Sequence, residues 1–503
     1  MKCLFFASRT FNVSILLDEA TSLAKAKNEV FFIYNSCATG ICHTNLSQYS
    51  VECEICKRRW KKAMDLLPKS VKKINLTEYW DAAKSYPYEF NTVQDIKNIK
   101  YKDVKVGYAV MSSFFSVTRN LNPLIDNESR RLFSKMIDCS CRITDALETA
   151  INDICPDRMY FWNSRFYDVR PAFDLAKANG IDAISMERTT AVNKRNSKRR
   201  FVNHTPHDII YRDNLHKQIW AEAPFSYEEK YMLGESFFLK RRNGIAAGDK
   251  VYVKNQQAGV LPDDWDINKK NVVIFNSSED EFAAIGEDYD KLALFPTQYR
   301  GIKYILESLK DQKSYHVYLR IHPNLAKIKY RYHTELLKLQ DKYENLTVIP
   351  AADSISTYAL MDAAEKVVVF GSTMGLESAY WGKPVILLSG AIYYNSELCY
   401  VPHTTKELDV LLTQALAPKN MKEEAIKWGF YMLYRNPVDY AKFVDIDSHW
   451  FSIGRHRWLD VHYLKLLGSS KLYAIYTDLL VRYYKRHATS NPLPLTEDIN
   501  AEL

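Results

Sequence analysis

Residues 367–379, with the sequence VVVFGSTMGLESA, decide the fold of this chain. Apolar residues of strand length end at Gly371, where the backbone can approach a ligand closely, and a helical pattern begins around Thr373. Ser372 and Thr373 place hydroxyl and N–H groups at a helix N-terminus, which favours bound anions. Glu377 lies one turn further along the same helix face. The stretch predicts a phosphate site with a carboxylate for ribose hydroxyls; the simpler alternative is an N-cap followed by a surface glutamate.

Strands and helices alternate on both sides of this stretch, from residue 271 to residue 416. Apolar runs of strand length lie at 272–275, 315–321, 346–349, 367–370 and 385–388, and helical patterns at 304–309, 332–339, 355–363, 374–380 and 408–416. Strands that are apolar throughout, separated by helices, indicate a parallel sheet covered on both faces. We therefore expect a doubly wound domain whose ligand lies beyond the carboxyl ends of its strands.

Two further polar groups follow strands of this domain. His322 and Pro323 end the strand at 315–321, and an imidazole there can donate a hydrogen bond to a phosphate; the alternative is an ordinary strand-to-helix loop. Ser277 and Ser278 follow the strand at 272–275, and they either face the ligand or cap the next helix.

The N-terminal half shows a weaker form of the same pattern. Candidate strands lie at 3–7, 30–34, 159–162 and 183–186, and a helix at 170–179 ends before Gly180, whereas residues 45–155 give no readable topology. The predicted fold class is α/β, with two Rossmann-like domains and a cleft between them. The predicted boundaries are 1–262 for an acceptor domain, 263–416 for a donor domain, and 417–503 for helices packing back on the first domain.

Length, charge and hydropathy exclude several classes of protein. At 503 residues the chain exceeds one ordinary domain, and its net charge of +8 is too small to imply a nucleic-acid partner. No apolar run reaches the roughly 20 residues of a membrane-spanning helix, and Arg9 interrupts the apolar N-terminus before any cleavage site. We therefore expect a cytoplasmic protein.

Residues 322–323, 371–377 and 380–385 together resemble the capsule- and lipopolysaccharide-synthesis glycosyltransferases of the GT-B fold. The similarity is greatest to the group of Kdo transferases and sialyltransferase-like enzymes that use CMP-activated sugars. It implies the inverting transfer of a sugar from a nucleotide-sugar donor to a surface-polysaccharide or lipopolysaccharide acceptor. This acceptor is a glycan or a glycolipid.

The resemblance also implies roles for individual residues. His322, Ser372 and Thr373 contact the donor phosphate and Glu377 contacts the ribose, with Pro323, Gly371, Gly375, Ser277 and Ser278 completing the donor site. No Asp-x-Asp motif stands directly at the end of a donor-site strand, where a donor-bound metal would need it, so we expect no cofactor for catalysis. The alternatives are a CDP-glycerol-type glycerophosphotransferase, a sugar-nucleotide epimerase, or a non-catalytic glycan-binding protein.

Candidate catalytic groups lie in the N-terminal half, where the acceptor is expected. Glu187 follows the strand at 183–186 and is the preferred general base, with Asp168 second and His207 third. Arg165 and Arg188 are candidates for holding an anionic acceptor or a donor carboxylate. The alternative is that all five are ordinary polar loop residues.

Four cysteines lie within twenty residues, at Cys37, Cys42, Cys53 and Cys56. Four thiolates suit a structural zinc ion in a reducing compartment, although the spacing is shorter than in zinc ribbons. Reduced buried thiols or a redox pair are the alternatives.

The C-terminal segment combines basic and aromatic residues. Its pattern predicts helices, with 451–467 packing on the N-terminal domain. Residues 472–486 carry cations beside tyrosines and leucines, which suits either such packing or contact with an anionic membrane surface.

Overall fold

A computed structural model describes residues 1–10, 12–35, 38–48, 50–192, 195–248, 251–434, 450–453, 456–459 and 493–503. The chain divides into two compact units. Unit 1 contains residues 1–206 and the described residues between 450 and 498, and unit 2 contains residues 207–434 and 499–503.

Unit 1 is built on a six-stranded sheet in the order β3-β2-β1-β4-β5-β6. Its strands are β1 (Lys2–Ala7), β2 (Glu29–Tyr34), β3 (Lys72–Asn75), β4 (Arg158–Trp162), β5 (Asp182–Val192) and β6 (Arg195–Val202). Its helices are α1 (Val13–Lys25), α2 (Ser50–Leu66), α3 (Val93–Lys97), α4 (Val106–Thr118), α5 (Asn127–Ile154) and α6 (Arg170–Ala178). Strands β1 to β5 pair in parallel, and β6 runs antiparallel to β5.

Two features of unit 1 differ from the sequence expectations. Residues 45–155 hold β3 and four of the helices, among them α4, whose first ten residues are all buried, and the 28-residue α5. The strand predicted at 183–186 continues to Val192 and forms a hairpin with β6, so Glu187 lies within a strand rather than after one.

Aromatic side chains fill the centre of unit 1. The Phe5 ring of β1 stacks between Phe32 of β2, at 5.8 Å between ring centroids, and Tyr160 of β4, at 4.5 Å. All three side chains are buried. This apolar layer joins the three central strands of the sheet and stabilises the edge at which β1 and β4 end.

Unit 2 is built on a five-stranded parallel sheet in the order β11-β10-β7-β8-β9. Its strands are β7 (Lys270–Phe275), β8 (Tyr315–Arg320), β9 (Leu346–Ile349), β10 (Lys366–Val369) and β11 (Val385–Leu387). Its helices are α7 (Ile209–Glu222), α8 (Tyr227–Arg242), α9 (Glu287–Asp290), α10 (Gln298–Leu309), α11 (Arg331–Leu337), α12 (Thr357–Ala363), α13 (Thr373–Tyr380), α14 (Thr405–Thr413) and α15 (Lys422–Leu433).

Both sheets place their first strand in the middle, with later strands added to either side. In unit 1 the chain leaves β1 on one side and returns at β4 on the other, and in unit 2 the same reversal separates β7 from β10. This order is that of doubly wound Rossmann-like domains, which bind ligands at the carboxyl ends of the two strands where the order reverses. The predicted fold class, two Rossmann-like α/β domains, is therefore confirmed.

The division between the units differs from the predicted boundary at residue 262. Residues 207–262 belong to unit 2, because α7 and α8 pack against α15. Gly234 and Gly429 allow this packing: a Cβ at Gly234 would lie 2.3 Å from the Ile426 carbonyl oxygen, and one at Gly429 would lie 2.3 Å from that of Gly234. Helix α15 thus belongs to unit 2, not to the N-terminal unit as expected for 417–503.

The helices predicted over 451–467 are wrong where the structure describes that segment. Residues Trp450–Ile453 and His456–Leu459 form an antiparallel pair, β12 and β13, with Phe451 opposite Trp458. Alternating aromatic and polar residues suit a hairpin as well as a helix face. The segment 472–486 lies outside the described residues. Among the helices that are described, none combines the length and hydropathy needed to cross a bilayer.

Candidate functional site

The candidate site of unit 2 lies where β7 and β10 end side by side. Ser277 follows β7, and its Oγ donates a hydrogen bond to the Phe370 carbonyl oxygen, which follows β10, at 2.8 Å. Gln298 also holds Ser277, accepting from its N–H at 3.0 Å and donating to its Oγ at 2.9 Å. The Ser277 hydroxyl proton is thus used to join the two strand ends rather than offered to a ligand.

A cavity of about 210 Å³ opens at these strand ends. Most of the predicted donor-site residues line it, namely Ser277, Ser278, His322, Pro323, Gly371, Ser372, Thr373 and Glu377. Its lining also includes Arg241, Tyr252, Asn276, Arg320 and Tyr358, which the sequence analysis did not select. The structure therefore brings together residues that are up to 136 positions apart in the chain.

The His322 imidazole is fixed by its own loop. Its backbone N–H donates to Asn276 Oδ1 at 2.7 Å, and its Nδ1 accepts from the Asn324 N–H at 3.2 Å. Since Nδ1 is the acceptor, the proton of the neutral ring is assigned to Nε2, which makes that nitrogen a hydrogen-bond donor. Pro323 opens the short 3-10 turn that supplies the Asn324 N–H.

The N-terminus of α13 lies at the end of β10. Ser372 is its N-cap, with its Oγ accepting from the Met374 N–H at 3.3 Å. Gly371 has a φ of 78°, and a Cβ there would lie 2.6 Å from the Gly390 carbonyl oxygen. Only glycine therefore fits this position without strain, and the chain can turn directly from the strand into a helix whose N–H groups attract anions.

Glu377 is buried, with only 1% of its surface exposed. Arg241 Nε donates to its Oε1 at 2.9 Å, and the Tyr358 hydroxyl donates to its Oε2. Burial, followed by the nearby carboxylate, raises the pKa of Tyr358. Both carboxylate oxygens therefore have protein partners, which the sequence pattern of an exposed helix face does not predict.

Arg320 adds positive charge beneath the cavity. It is 2% exposed, and its Nη2 donates to the Asp353 carbonyl oxygen at 3.0 Å while its Nε has no hydrogen-bond partner among the described residues. Burial lowers the pKa of its guanidinium to about 10, which still leaves it charged at neutral pH. Arg320 and the α13 N-terminus both favour an anion here.

Two predicted donor-site residues serve the packing of the site. Ser278 Oγ donates to Asp280 Oδ1 at 2.8 Å and accepts from Asn324 Nδ2 at 3.1 Å. A Cβ at Gly375 would lie 2.3 Å from the Tyr393 hydroxyl oxygen. Gly375 therefore allows α13 to pack closely against Tyr393.

Of the predicted acceptor-side residues in unit 1, Arg165 and Asp168 follow β4, and Glu187 and Arg188 lie within β5, just beyond the part of it that pairs with β4. Asn163 Nδ2 donates to Glu187 Oε1 at 2.6 Å, and Arg188 Nη1 donates to Asn12 Oδ1 at 3.4 Å. Arg165, which is buried, donates from Nε to the Ser112 hydroxyl.

Asp168 is the most enclosed of these candidates. It is 3% exposed, accepts from Ser8 Oγ at 2.7 Å, and lies 3.5 Å from Arg9 Nη1. The third candidate base, His207, falls in unit 2, where Asp208 caps α7 and accepts from the Tyr211 N–H at 2.9 Å. Helix α7 therefore begins two residues after His207.

The cysteines that suggested zinc are only partly described. Cys42 Sγ lies 3.2 Å from the Thr44 hydroxyl, Cys56 Sγ lies 3.7 Å from that of Thr10, and Cys53 Sγ accepts from Asn45 at 3.4 Å. None of these three is in a disulfide, and burial raises the pKa of the Cys42 thiol to about 11. Cys37 lies outside the described residues, so the zinc site stays a prediction.

One group of metal-ligand side chains occurs among the described residues, formed by Asp213, His216 and Glu424. His216 Nε2 lies 2.8 Å from Glu424 Oε1, and Lys217 donates to Asp213 at 2.6 Å. The direct histidine–glutamate contact and the lysine satisfy the carboxylates without an ion. These contacts explain the group as a link between α7 and α15.

Comparison with known proteins supports the class suggested by the sequence. Residues 284–420 match the model of a family described as capsule polysaccharide biosynthesis protein. No curated protein matches the chain. The matched segment contains α10, β8, β10 and α13, and therefore His322 and residues 371–377 of the site.

Solved structures similar to this chain have low sequence identity. The β-Kdo 2,4 transferase KpsC of Thermosulfurimonas dismutans is 14% identical with a TM-score of 0.33, covering 54% of this chain and 79% of that one. A putative UDP-N-acetylglucosamine 2-epimerase of Listeria monocytogenes is 9% identical with a TM-score of 0.23, covering 87% of this chain and 98% of that one. Since both TM-scores lie below 0.5, the fold assignment rests on the sheet topology.

The two doubly wound domains and the family match define a class of protein. The predicted resemblance to capsule-synthesis proteins of the GT-B fold is confirmed by the match over 284–420 and by the order of both sheets. This match also supports the predicted enzyme class, a glycosyltransferase.

Proposed function

We propose that this protein transfers a sugar from a nucleotide-sugar donor to a surface-polysaccharide or lipopolysaccharide acceptor. The observation that carries the proposal is the cavity at the ends of β7 and β10, where His322, Arg320 and the N-terminus of α13 come together. A nucleotide sugar presents a phosphate group, and these groups supply hydrogen-bond donors and positive charge for it.

Protein groups stabilise the leaving nucleotide in this proposal. As the bond between sugar and phosphate breaks, negative charge grows on the phosphate oxygens, and donors already in place stabilise it without reorganising. His322 Nε2 supplies one donor, and Ser372 with the Thr373 N–H supplies others at the start of α13. We therefore propose a transfer that needs no metal ion, with inversion at the anomeric carbon following the family resemblance.

The donor and the place of action are finer proposals. A CMP-activated acidic sugar, such as Kdo, follows the same resemblance, and the acceptor is a glycan or a glycolipid. We propose action in the cytoplasm, at the inner face of a membrane, with the basic residues of 472–486 as the contact.

A nucleotide screen tests the proposal. Thermal unfolding of the full chain is measured with CMP, UDP, GDP, CDP and their sugars, since a ligand at 100 times its dissociation constant adds about 2.7 kcal/mol of stability. The best donor is then assayed for transfer and for hydrolysis, with and without EDTA. Stabilisation by one nucleotide class with EDTA-resistant turnover is the expected result.

Each rival function gives a different result in this screen. An epimerase converts the free donor into an isomer without any acceptor, and a glycerophosphotransferase consumes CDP-glycerol. A glycan-binding protein without catalysis gives no turnover with any donor. Strict dependence on added magnesium or manganese would contradict the proposed stabilisation by protein groups alone.

A further inference from the structure

Unit 1 contains a buried guanidinium whose hydrogen-bonding groups are not used. Arg9 follows β1 and is 3% exposed, and its Nε, Nη1 and Nη2 have no hydrogen-bond partner among the described residues. A guanidinium has five N–H donors, and burying them without acceptors is strongly unfavourable. Native structures rarely leave such groups unpaired unless a ligand supplies the acceptors.

The Arg9 guanidinium is held in place by its neighbours. Its Cζ lies 4.8 Å from the centre of the Trp162 ring and 5.1 Å from that of the Phe166 ring. Asp168 Oδ2 lies 3.5 Å from Nη1, so it offsets part of the charge, and that same oxygen accepts from Ser8 at 2.7 Å. The aromatic contacts therefore fix the position of the guanidinium while its N–H groups stay available.

A further buried polar group, the His43 imidazole, shares the Phe166 ring with this guanidinium. His43 stacks on Phe166 at 4.0 Å, and its Nδ1 has no hydrogen-bond partner in the described part of the chain. Burial, followed by the charges of Arg9 and Arg165, holds the pKa of His43 well below its usual range, so the imidazole is neutral. Two cations and one carboxylate, Asp168, give this cluster a net positive charge.

The position of the cluster in the fold suits a binding site. Arg9 follows β1, and Arg165 and Asp168 follow β4, which are the two strands between which the strand order of unit 1 reverses. Ligands of doubly wound domains bind beyond the carboxyl ends of such strands. We propose that this edge of unit 1 binds an anionic group of the acceptor, a carboxylate or a phosphate, on the Arg9 guanidinium.

The charges of the cluster support the binding of an anion by themselves. The assignment of that anion to the acceptor rests on the proposed function. A planar carboxylate or a phosphate matches the paired N–H groups of a guanidinium. His43 is neutral, so it adds hydrogen-bonding capacity without adding charge. Uncharged acceptors with the same hydroxyl groups would leave the Arg9 donors unpaired and bind more weakly.

The test measures binding of small probes to the full chain at constant ionic strength. The probes are galacturonate, galactose as its uncharged counterpart, and inorganic phosphate. Isothermal titration calorimetry measures the binding of each probe. We expect galacturonate or phosphate to bind and galactose to bind at least tenfold more weakly. Arg9→Gln is expected to weaken anion binding ten- to a hundredfold, and Arg131→Gln, which changes an exposed arginine of α5, to leave it unchanged.

Phosphate can also occupy the cavity of unit 2, so a second variant separates the two sites. If phosphate binds in unit 2, His322→Ala weakens its binding and Arg9→Gln does not. If phosphate binds in unit 1, Arg9→Gln weakens its binding and His322→Ala does not. Binding of galacturonate alone identifies a carboxylate, and Arg9-dependent binding of phosphate alone identifies a phosphate group; both support the site.

Two results would overturn the proposal: wild-type protein that binds neither anion, or anion binding that Arg9→Gln leaves unchanged. If circular dichroism shows that Arg9→Gln does not fold, Arg9→Lys keeps the charge but loses the paired geometry, and a loss of about tenfold is expected. Arg9-dependent anion binding without any donor turnover would reject the proposed function and keep the site. Donor turnover together with anion binding that does not depend on Arg9 would keep the proposed function and reject the site.

Discussion

Arg241 Nε and Glu377 Oε1 form a hydrogen-bonded ion pair at 2.9 Å, with 8% and 1% of their side chains exposed. Arg241 lies in the last turn of α8 and Glu377 lies on α13, so the pair joins the helix that begins at the cavity of unit 2 to a helix far earlier in the chain. Because both side chains are buried away from water, the loss of one charge leaves the other without a partner and without hydration. Glu377 thus holds the cavity wall as well as lining it.

Glu377→Gln is therefore expected to destabilise unit 2 strongly. Removing one partner of a buried ion pair leaves an uncompensated charge and costs about 3–5 kcal/mol. The matched control is Arg242→Gln, which breaks the neighbouring but exposed pair with Asp362 and is expected to cost about 1 kcal/mol or less. Urea unfolding followed by tryptophan fluorescence measures both, and equal losses would contradict the structural role of Glu377.

His322→Ala and Ser372→Ala are each expected to weaken donor use with little effect on folding. The loss of a charge-assisted hydrogen bond costs roughly 1.5–3 kcal/mol, which corresponds to about ten- to a hundredfold. Steady-state kinetics with the best donor measures the effect on kcat/KM. His403→Ala removes an exposed histidine of the same unit and serves as the control. Wild-type rates in both cavity variants would reject the phosphate site.

Gly371→Ala is expected to lower both stability and nucleotide affinity. A Cβ there meets a strained φ of 78° and the Gly390 carbonyl oxygen at 2.6 Å. Gly382→Ala is a close control, because its φ is 75° and a Cβ would meet nothing within 4 Å. We expect about 1–2 kcal/mol for Gly382→Ala from strain alone and a larger loss for Gly371→Ala. Thermal unfolding and nucleotide titration compare the two, and equal effects would exclude the collision.

Glu279 is expected to make stability fall with rising pH. Its burial raises the pKa of the carboxyl to about 7, from an ordinary value of 4.5. The folded chain therefore binds a proton that the unfolded chain releases, so this destabilising contribution is absent below pH 4.5, grows up to about pH 7 and is then constant. Glu279→Gln removes the titration. Melting temperatures of the wild type and of Glu279→Gln are measured at several pH values. They should be equal at pH 4.5, and the variant should melt at the higher temperature above pH 7. A difference that does not change with pH would reject the raised pKa.

Glu187→Gln is expected to abolish most transfer while donor binding persists. A positioned general base contributes about 10²–10⁴-fold, and glutamine keeps the size of the side chain and its contact with Asn163. Rates of transfer and nucleotide affinity are measured for Glu187→Gln, Asp168→Asn and His207→Ala. If Glu187→Gln keeps more than about a tenth of the activity and another variant loses it, that other residue is the base.

The sheet of unit 2 could be predicted because its signals are local. Each strand is apolar throughout, and Gly371, Ser372 and Thr373 follow one another at the turn from β10 into α13. The short sequence thus contains both the break in the strand and the start of the helix. The topology of parallel sheets then places the site at the strand ends without further information.

The partners of Glu377 could not be predicted in the same way. Arg241 precedes it by 136 residues, and no pattern near either residue indicates that α8 and α13 meet. The length of β5 was missed for a different reason: Glu187 and Arg188 are polar, so the apolar pattern ends before the strand does. Tertiary pairing with β6 extends the strand beyond its own sequence signal.

Strand β6 has a consequence for how the protein behaves in concentrated solution. It ends the sheet of unit 1, and edge strands readily recruit a strand from another molecule. Lys198 of β6 is buried and bonds to Asp18 at 2.7 Å and Glu19 at 2.8 Å, and Arg200 also pairs with Glu19. A strand from another molecule that paired with β6 would meet charged side chains that already form ion pairs with α1. These charges hinder ordered aggregation along this edge.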